Sequence, residues 1–216
     1  MKPIEKLNSM ALGITVIVLL IILKKIVPFL STQSDTHAYL LPFVAVLTAA
    51  GTYRSLVTTI SWLISRSERA RAFVLGPSYM HGTWVGWFRG HTGELRFMVE
   101  HFVQDFDSLV ITGRSFTKIG KVHGYWSSDA VSIDPKKGEL MFTYTFDVVT
   151  NKASTAGVHK SLFERKSART PPSGIAGFAH DLNDPTRIAV ESRKISTDLL
   201  EWETALTEAN SIFANR

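Results

Sequence analysis

The chain of 216 residues is expected to be a membrane-anchored all-β protein. Residues 1–78 would form an N-terminal two-helix transmembrane hairpin with a basic connector. Residues 79–216 would form a small, roughly eight-stranded meander β-barrel with a C-terminal helix. Three observations predict this. Two long apolar runs precede residue 65, short alternating segments divided by turn residues follow from Gly82 onward, and the chain ends in an amphipathic stretch.

The first run, Met10 to Leu23, carries no charge, and Ile26 to Leu30 continues it beyond Lys24 and Lys25. With Leu7 to Met10 in front, it spans ~30 Å of hydrocarbon at ~1.5 Å per residue. The lysine pair would snorkel near its far end. Ser31 to His37 reads as a polar turn, and Ala38 to Ile64 returns, interrupted by Arg54. A cleaved signal peptide fits poorly, because the basic pair follows the apolar stretch and a second span comes at once. A soluble helical hairpin is the other alternative, since Lys24, Lys25 and Arg54 weaken both spans. Lys2 and Lys6 lie before the first span, and Arg66, Arg69 and Arg71 after the second, with no basic residue in the turn. That bias puts both termini in the cytoplasm of a bacterial inner membrane, although Lys24 and Lys25 point the other way. Thr48, Ala49, Ala50, Gly51 and Thr52 are small enough to let helices approach, which points to a homo-oligomer among membrane lipids.

The segment Ser65 to Phe73 is expected to prolong the second helix, and Gly76–Pro77 to stop it. Strands are then expected near Gly82–Phe88, Leu95–Gln104, Ser108–Phe116, Lys121–Trp126, Ala130–Asp134, Glu139–Val148, Gly157–Lys166, Gly174–His180 and Arg187–Ser192. Between them fall turn residues such as Thr92–Gly93, Asp134 to Gly138, Asn151–Lys152, Pro171–Pro172 and Asn183 to Pro185. A final helix, Thr197 to Ala214, would open at Ser196 or Thr197 and present Leu199, Trp202, Leu206, Ala209 and Phe213 as one stripe against the barrel wall.

Charge is distributed unevenly. Residues 1–78 hold eight Lys and Arg against three acidic residues, which is the whole net charge of +5; the remainder balances at zero. A duplex-binding domain carries its own basic excess, so a polymeric nucleic-acid partner is not expected. Cysteine is absent, which excludes disulfides, thiolate nucleophiles and cysteine metal sites. The seven histidines form no His-x-His or His-Glu-x-x-His spacing, and no Gly-x-Ser-x-Gly or phosphate-binding Gly-x-x-x-x-Gly-Lys loop occurs. Neither a cofactor nor a metal is expected, and a binding protein is favoured over an enzyme.

In His81 to Gly90, HGTWVGWFRG, two tryptophans stand three apart, so Trp84 and Trp87 point to opposite faces of one strand. Small barrels hold one ligand in the mouth, and aromatic rings with a few guanidinium groups suit a planar anion. Candidate ligand contacts are Trp84, Trp87, Arg114, Tyr125, Tyr144 and Arg165. Each has a plainer reading: the tryptophans as core plug or helix contact, the tyrosines as core or rim, the arginines as solvated.

Two N-terminal spans, a basic connector, Gly82-Thr-Trp84-Val-Gly86-Trp87 opening a strand-rich domain, and a C-terminal helix together resemble one family along the whole chain. These are the two-transmembrane β-barrel effectors of bacterial cyclic-oligonucleotide-based antiphage signalling systems (CBASS), which are STING-like in role. The resemblance implies an antiviral effector whose cytoplasmic barrel binds a cyclic dinucleotide made by a partner nucleotidyltransferase. Binding would drive oligomerisation, and the clustered spans would disrupt the inner membrane, an abortive infection. Lipocalins also begin with Gly-x-Trp and end with a helix, so a membrane-tethered carrier or sensor of a lipid or apolar ligand is the alternative. A structural subunit with a filled barrel is the third.

Overall fold

The computed structural model describes residues 3–30, 36–90, 92–106, 108–149, 153–184 and 186–214. The chain separates into two compact units, Met1–Val74 and Leu75–Arg216. The expected turns at residues 31–35 and 151–152, and the proline of the turn at 183–185, lie outside the described residues.

In the first unit, α1 (Pro3–Leu30) packs against α2 (Thr36–Ser65). Asn8–Lys25 of α1 is long and apolar enough to cross a membrane, and among the described residues no second helix meets that test. Arg54 and the threonines and serines around it dilute the apolar character of α2. Within α1, the Thr15 hydroxyl donates to the Ala11 carbonyl at 2.8 Å, so its polar group is satisfied inside the helix.

The second helix does not run on to Phe73 as expected. It ends at Ser65, and α3 (Glu68–Leu75) starts anew. Ser67 makes the break: its Oγ accepts from the Ala70 amide at 3.3 Å, the position of an N-cap. A single 3₁₀ turn, Gly76–Ser78, follows, with Gly76 at φ +53°.

The second unit is a closed antiparallel barrel in sequential order: β1 (Gly82–Arg89), β2 (Leu95–Gln104), β3 (Leu109–Thr117), β4 (Val122–Asp134), β5 (Glu139–Val148), β6 (Ala153–Glu164), β7 (Gly174–Asp181) and β8 (Arg187–Ser196). β8 returns to pair with β1, so no edge strand is left open. Nine expected segments become eight strands because Lys121–Trp126 and Ala130–Asp134 join as β4. The register against β5 shifts between Ser128 and Ala130, which accommodates the extra residue Asp129 as a bulge.

Along each strand alternate residues face the lumen. Trp84, Phe102, Ile111, Leu140 and Ile175 fill one end together with Met80. Trp84 stacks on Phe102 with centroids 5.0 Å apart, and its indole N–H donates to the Met80 carbonyl at 2.9 Å. That end is plugged. The opposite faces of β1 and β2 are apolar too, because α4 (Trp202–Ile212) lies over them: Val85, Phe97 and Val99 pack with Ala205, Ala209 and Phe213. The helix starts five residues later than expected. Thr83 holds the preceding segment extended, its Oγ1 donating to the Asp198 carbonyl at 2.7 Å and accepting from the Leu200 amide at 2.8 Å. Leu199 therefore leaves the expected stripe and is exposed, and Ala205 takes a place in it.

Candidate functional site

The other end of the barrel is hollow. A cavity of about 360 Å³ opens there, walled by the mouth-side halves of every strand except β3. β3 does not appear because Trp126 of β4 lies flat across it: a Cβ at Gly113 would collide with the indole. The same device recurs around the wall. The Tyr144 phenol lies on Gly157, directly opposite it in the ladder, and the Phe146 ring lies on Gly124. Each aromatic ring is laid sideways onto a glycine of the neighbouring strand and does not project into the lumen. That arrangement keeps the cavity open in a barrel narrow enough to be filled by side chains.

Polar groups interrupt this apolar wall. Glu100 on β2 is 2% exposed; its Oε2 accepts from the Ser192 hydroxyl at 2.8 Å, and the Trp126 side chain is a further donor. Burial raises its carboxyl to about 7 against the pull of those two hydrogen bonds. His159 on β6 is 4% exposed, stacks on Phe142 at 4.5 Å, and its Nε2 has no hydrogen-bond partner. Burial holds this imidazole neutral, down to about 4. Tyr144 donates to Asp181 Oδ1 at 2.7 Å, and burial, then that carboxylate, pushes the phenol upward. At the rim Arg96 pairs with Glu94 at 2.6 Å, and Thr92 also donates to Glu94, whose carboxyl falls to about 2. Among the described residues no cluster of three His, Asp or Glu is arranged to hold a metal ion.

Among the described residues Arg96 is the one Lys or Arg that lines the cavity. Arg89 ends β1, Lys118 and Lys121 sit in the β3–β4 turn, and Arg187 begins β8 with its guanidinium 4.7 Å from the ring centroid of the outward-facing Phe178. His123 also lines the opening, its imidazole lowered first by burial and then by the Arg96 charge.

Of the six residues singled out from sequence, Tyr144 lines this cavity. Trp84 lies within the plug below it. Trp87 is on the outer face, its indole N–H donating to Glu191 Oε2 at 3.2 Å. Arg114 is also outside, with its guanidinium 4.4 Å from the Trp202 ring centroid and 5.3 Å from that of Tyr125. Arg165 is at the plugged end, Nη1 donating to the Pro135 carbonyl at 2.9 Å. The six do not converge on one place.

Sequence reasoning passed over Glu100, His159, Trp126, Asp181 and Arg96. A signal was present: Arg96, Met98, Glu100 and Phe102 alternate with Leu95, Phe97, Val99 and His101. Read alone, that pattern turns the charged set toward solvent. The covering helix reverses the inference, since it makes the outer face apolar as well. Comparison of the chain with protein-family models, with curated proteins and with solved structures returned no match.

Proposed function

We propose that the protein is a membrane-anchored effector of a cyclic-oligonucleotide antiphage system, whose barrel takes up a cyclic dinucleotide through the open mouth. The observation that carries this reading is the hollow end itself: a cavity with aromatic rings along its wall and Arg96 in its lining, at the end of the barrel where Arg89, Lys118, Lys121 and Arg187 occupy strand ends and a turn. Bases stack on aromatic faces and leave their edges to hydrogen bonds, while guanidinium and ammonium groups receive phosphate. The about 360 Å³ lumen is at the small end of ligand sites. A base enters it, and the phosphates stay at the rim.

In this reading α1 and α2 form a two-helix hairpin across the bacterial inner membrane, with both termini cytoplasmic. Ligand binding favours an assembled state of several copies, and the clustered hairpins breach the membrane. The chain needs no cofactor and catalyses no reaction.

The apolar share of the wall favours one other reading, a membrane-tethered carrier or sensor of a lipid. Arg96 is already paired with Glu94, and Glu100 and Asp181 add acidic groups to the lining. Calorimetric titration of the full chain in detergent micelles separates the two. Micromolar or tighter saturable binding of cyclic di-GMP or cyclic di-AMP, weakened by added salt, is the expected result. Binding of a long-chain fatty acid, with no cyclic dinucleotide bound, would establish the lipid reading instead.

A further inference from the structure

Glu100 stands out within the cavity. It is an inward-facing carboxyl among Trp84, Met98, Phe102 and Trp126, and among the described residues no cation pairs with it. The other ionisable groups lining the cavity, from every strand that faces it, are Glu94, Arg96, His123, Tyr144, His159 and Asp181. Arg96 is held by Glu94, and Asp181 by Tyr144. A buried carboxyl with no counter-ion costs stability, and an apolar residue or a glutamine would fill the place at lower cost. Its two protein donors, the Ser192 hydroxyl and the Trp126 side chain, come from β8 and β4 and fix its orientation from either side. An ionised carboxylate has about four acceptor positions, so two remain for something entering the lumen.

Resting on the cyclic-dinucleotide reading above, we propose that Glu100 is the group that reads the inserted base, a carboxylate set to receive paired N–H donors from the edge of a guanine-type ring. The guanine Watson–Crick edge offers two neighbouring donors to one carboxylate; the adenine edge offers one donor beside an acceptor, which an ionised carboxylate rejects. The rings of Trp126 and Phe146 on their glycines supply the stacking faces. Because Glu100 holds a proton part of the time near neutrality, taking up such a base expels that proton.

The test is calorimetry of the full chain in detergent at pH 7, with cyclic di-GMP and cyclic di-AMP, in buffers of different ionisation enthalpy. Cyclic di-GMP is expected to bind at least about fivefold more tightly and to release roughly half a proton. Glu100→Gln, which keeps an acceptor for Ser192, is expected to lose both the preference and the proton release. Tighter binding of cyclic di-AMP with proton uptake would overturn the proposal, because it requires a protonated carboxyl as donor. Equal binding of the two, unchanged in Glu100→Gln, would make Glu100 a staple between strands and overturn this inference while leaving the cyclic-dinucleotide reading intact. Failure of both dinucleotides to bind overturns both. Should Glu100→Gln fail to fold, the sign of the proton change in the parent chain decides alone.

Discussion

Glu100 and His159 face one lumen and pull stability in opposite directions with pH. The folded carboxyl titrates near 7 against an ordinary 4.5, so the unfolded chain ionises first and stability falls as pH rises between those values. The folded imidazole titrates near 4 against 6.5, so the unfolded chain is protonated first as pH falls, and stability is lost from 6.5 down to about 4. The two slopes overlap and largely cancel in the parent chain. Separating them is a direct check. Relative to the parent, Glu100→Gln is expected to gain stability from pH 5 to pH 7.5, and His159→Phe to gain it from pH 6.5 to pH 4.5, each by at most about 3 kcal/mol. Thermal unfolding followed by near-ultraviolet circular dichroism across that range measures both; parallel pH profiles for parent and variants would refute it. Neither residue could be picked out by type. A single glutamate or histidine in a strand carries no mark of burial, and only the strand's orientation brings it into the lumen. Tyr144 was legible because Leu140, Phe142, Tyr144 and Phe146 alternate cleanly against polar neighbours.

Pairs of strands decide whether the barrel is hollow or filled. Trp126 and Gly113 are opposite partners in the β3–β4 ladder, and the ring needs the missing side chain to lie flat. Gly113→Val is expected to drive the indole into the lumen, separate it from Glu100 and weaken ligand binding by roughly tenfold, consistent with the ~1–3 kcal/mol of an overpacked site. The compensating double variant Gly113→Val with Trp126→Leu is expected to recover the cavity volume but not the hydrogen bond to Glu100. Dissociation constants and tryptophan fluorescence of the two variants read this out, and unchanged binding in Gly113→Val would show that the ring has room elsewhere. Strand positions were legible from alternation and turn residues almost throughout. The exceptions have local causes: the bulge at Asp129 concealed one long strand, Ser67 broke a helix that composition alone would continue, and Thr83 delayed α4 by bonding Asp198 and Leu200 from more than a hundred residues away.

For the molecule as a whole, the proposed mechanism requires that ligand favour the assembled state over the single chain. Moving that balance from 1:99 to 99:1 takes ~5.5 kcal/mol of differential affinity, a requirement several copies can share. Gly51 in α2 provides a clean probe of contacts between copies, because a Cβ added there meets nothing within 4 Å in the chain itself. Sedimentation of the full chain in detergent is expected to show ligand-dependent oligomers that Gly51→Leu diminishes, with ligand affinity measured on the non-assembled species unchanged. Oligomers insensitive to ligand would contradict the mechanism.

Periodicity and turn chemistry in the sequence by themselves determined the succession of apolar runs, strands and terminal helix, because these are encoded within a few residues of one another. Closure of the sheet, the plugging of one end by Trp84 and Met80, and the hollow at the other depended on tertiary contacts. So did the assignment of faces. A strand covered by a helix on one side and lining a lumen on the other is apolar in both directions, and local pattern then contains no information about which side is inside. The register that sets Trp126 on Gly113, and Glu100 between Ser192 and Trp126, joins residues far apart in the chain, so the site exists only once the barrel has closed.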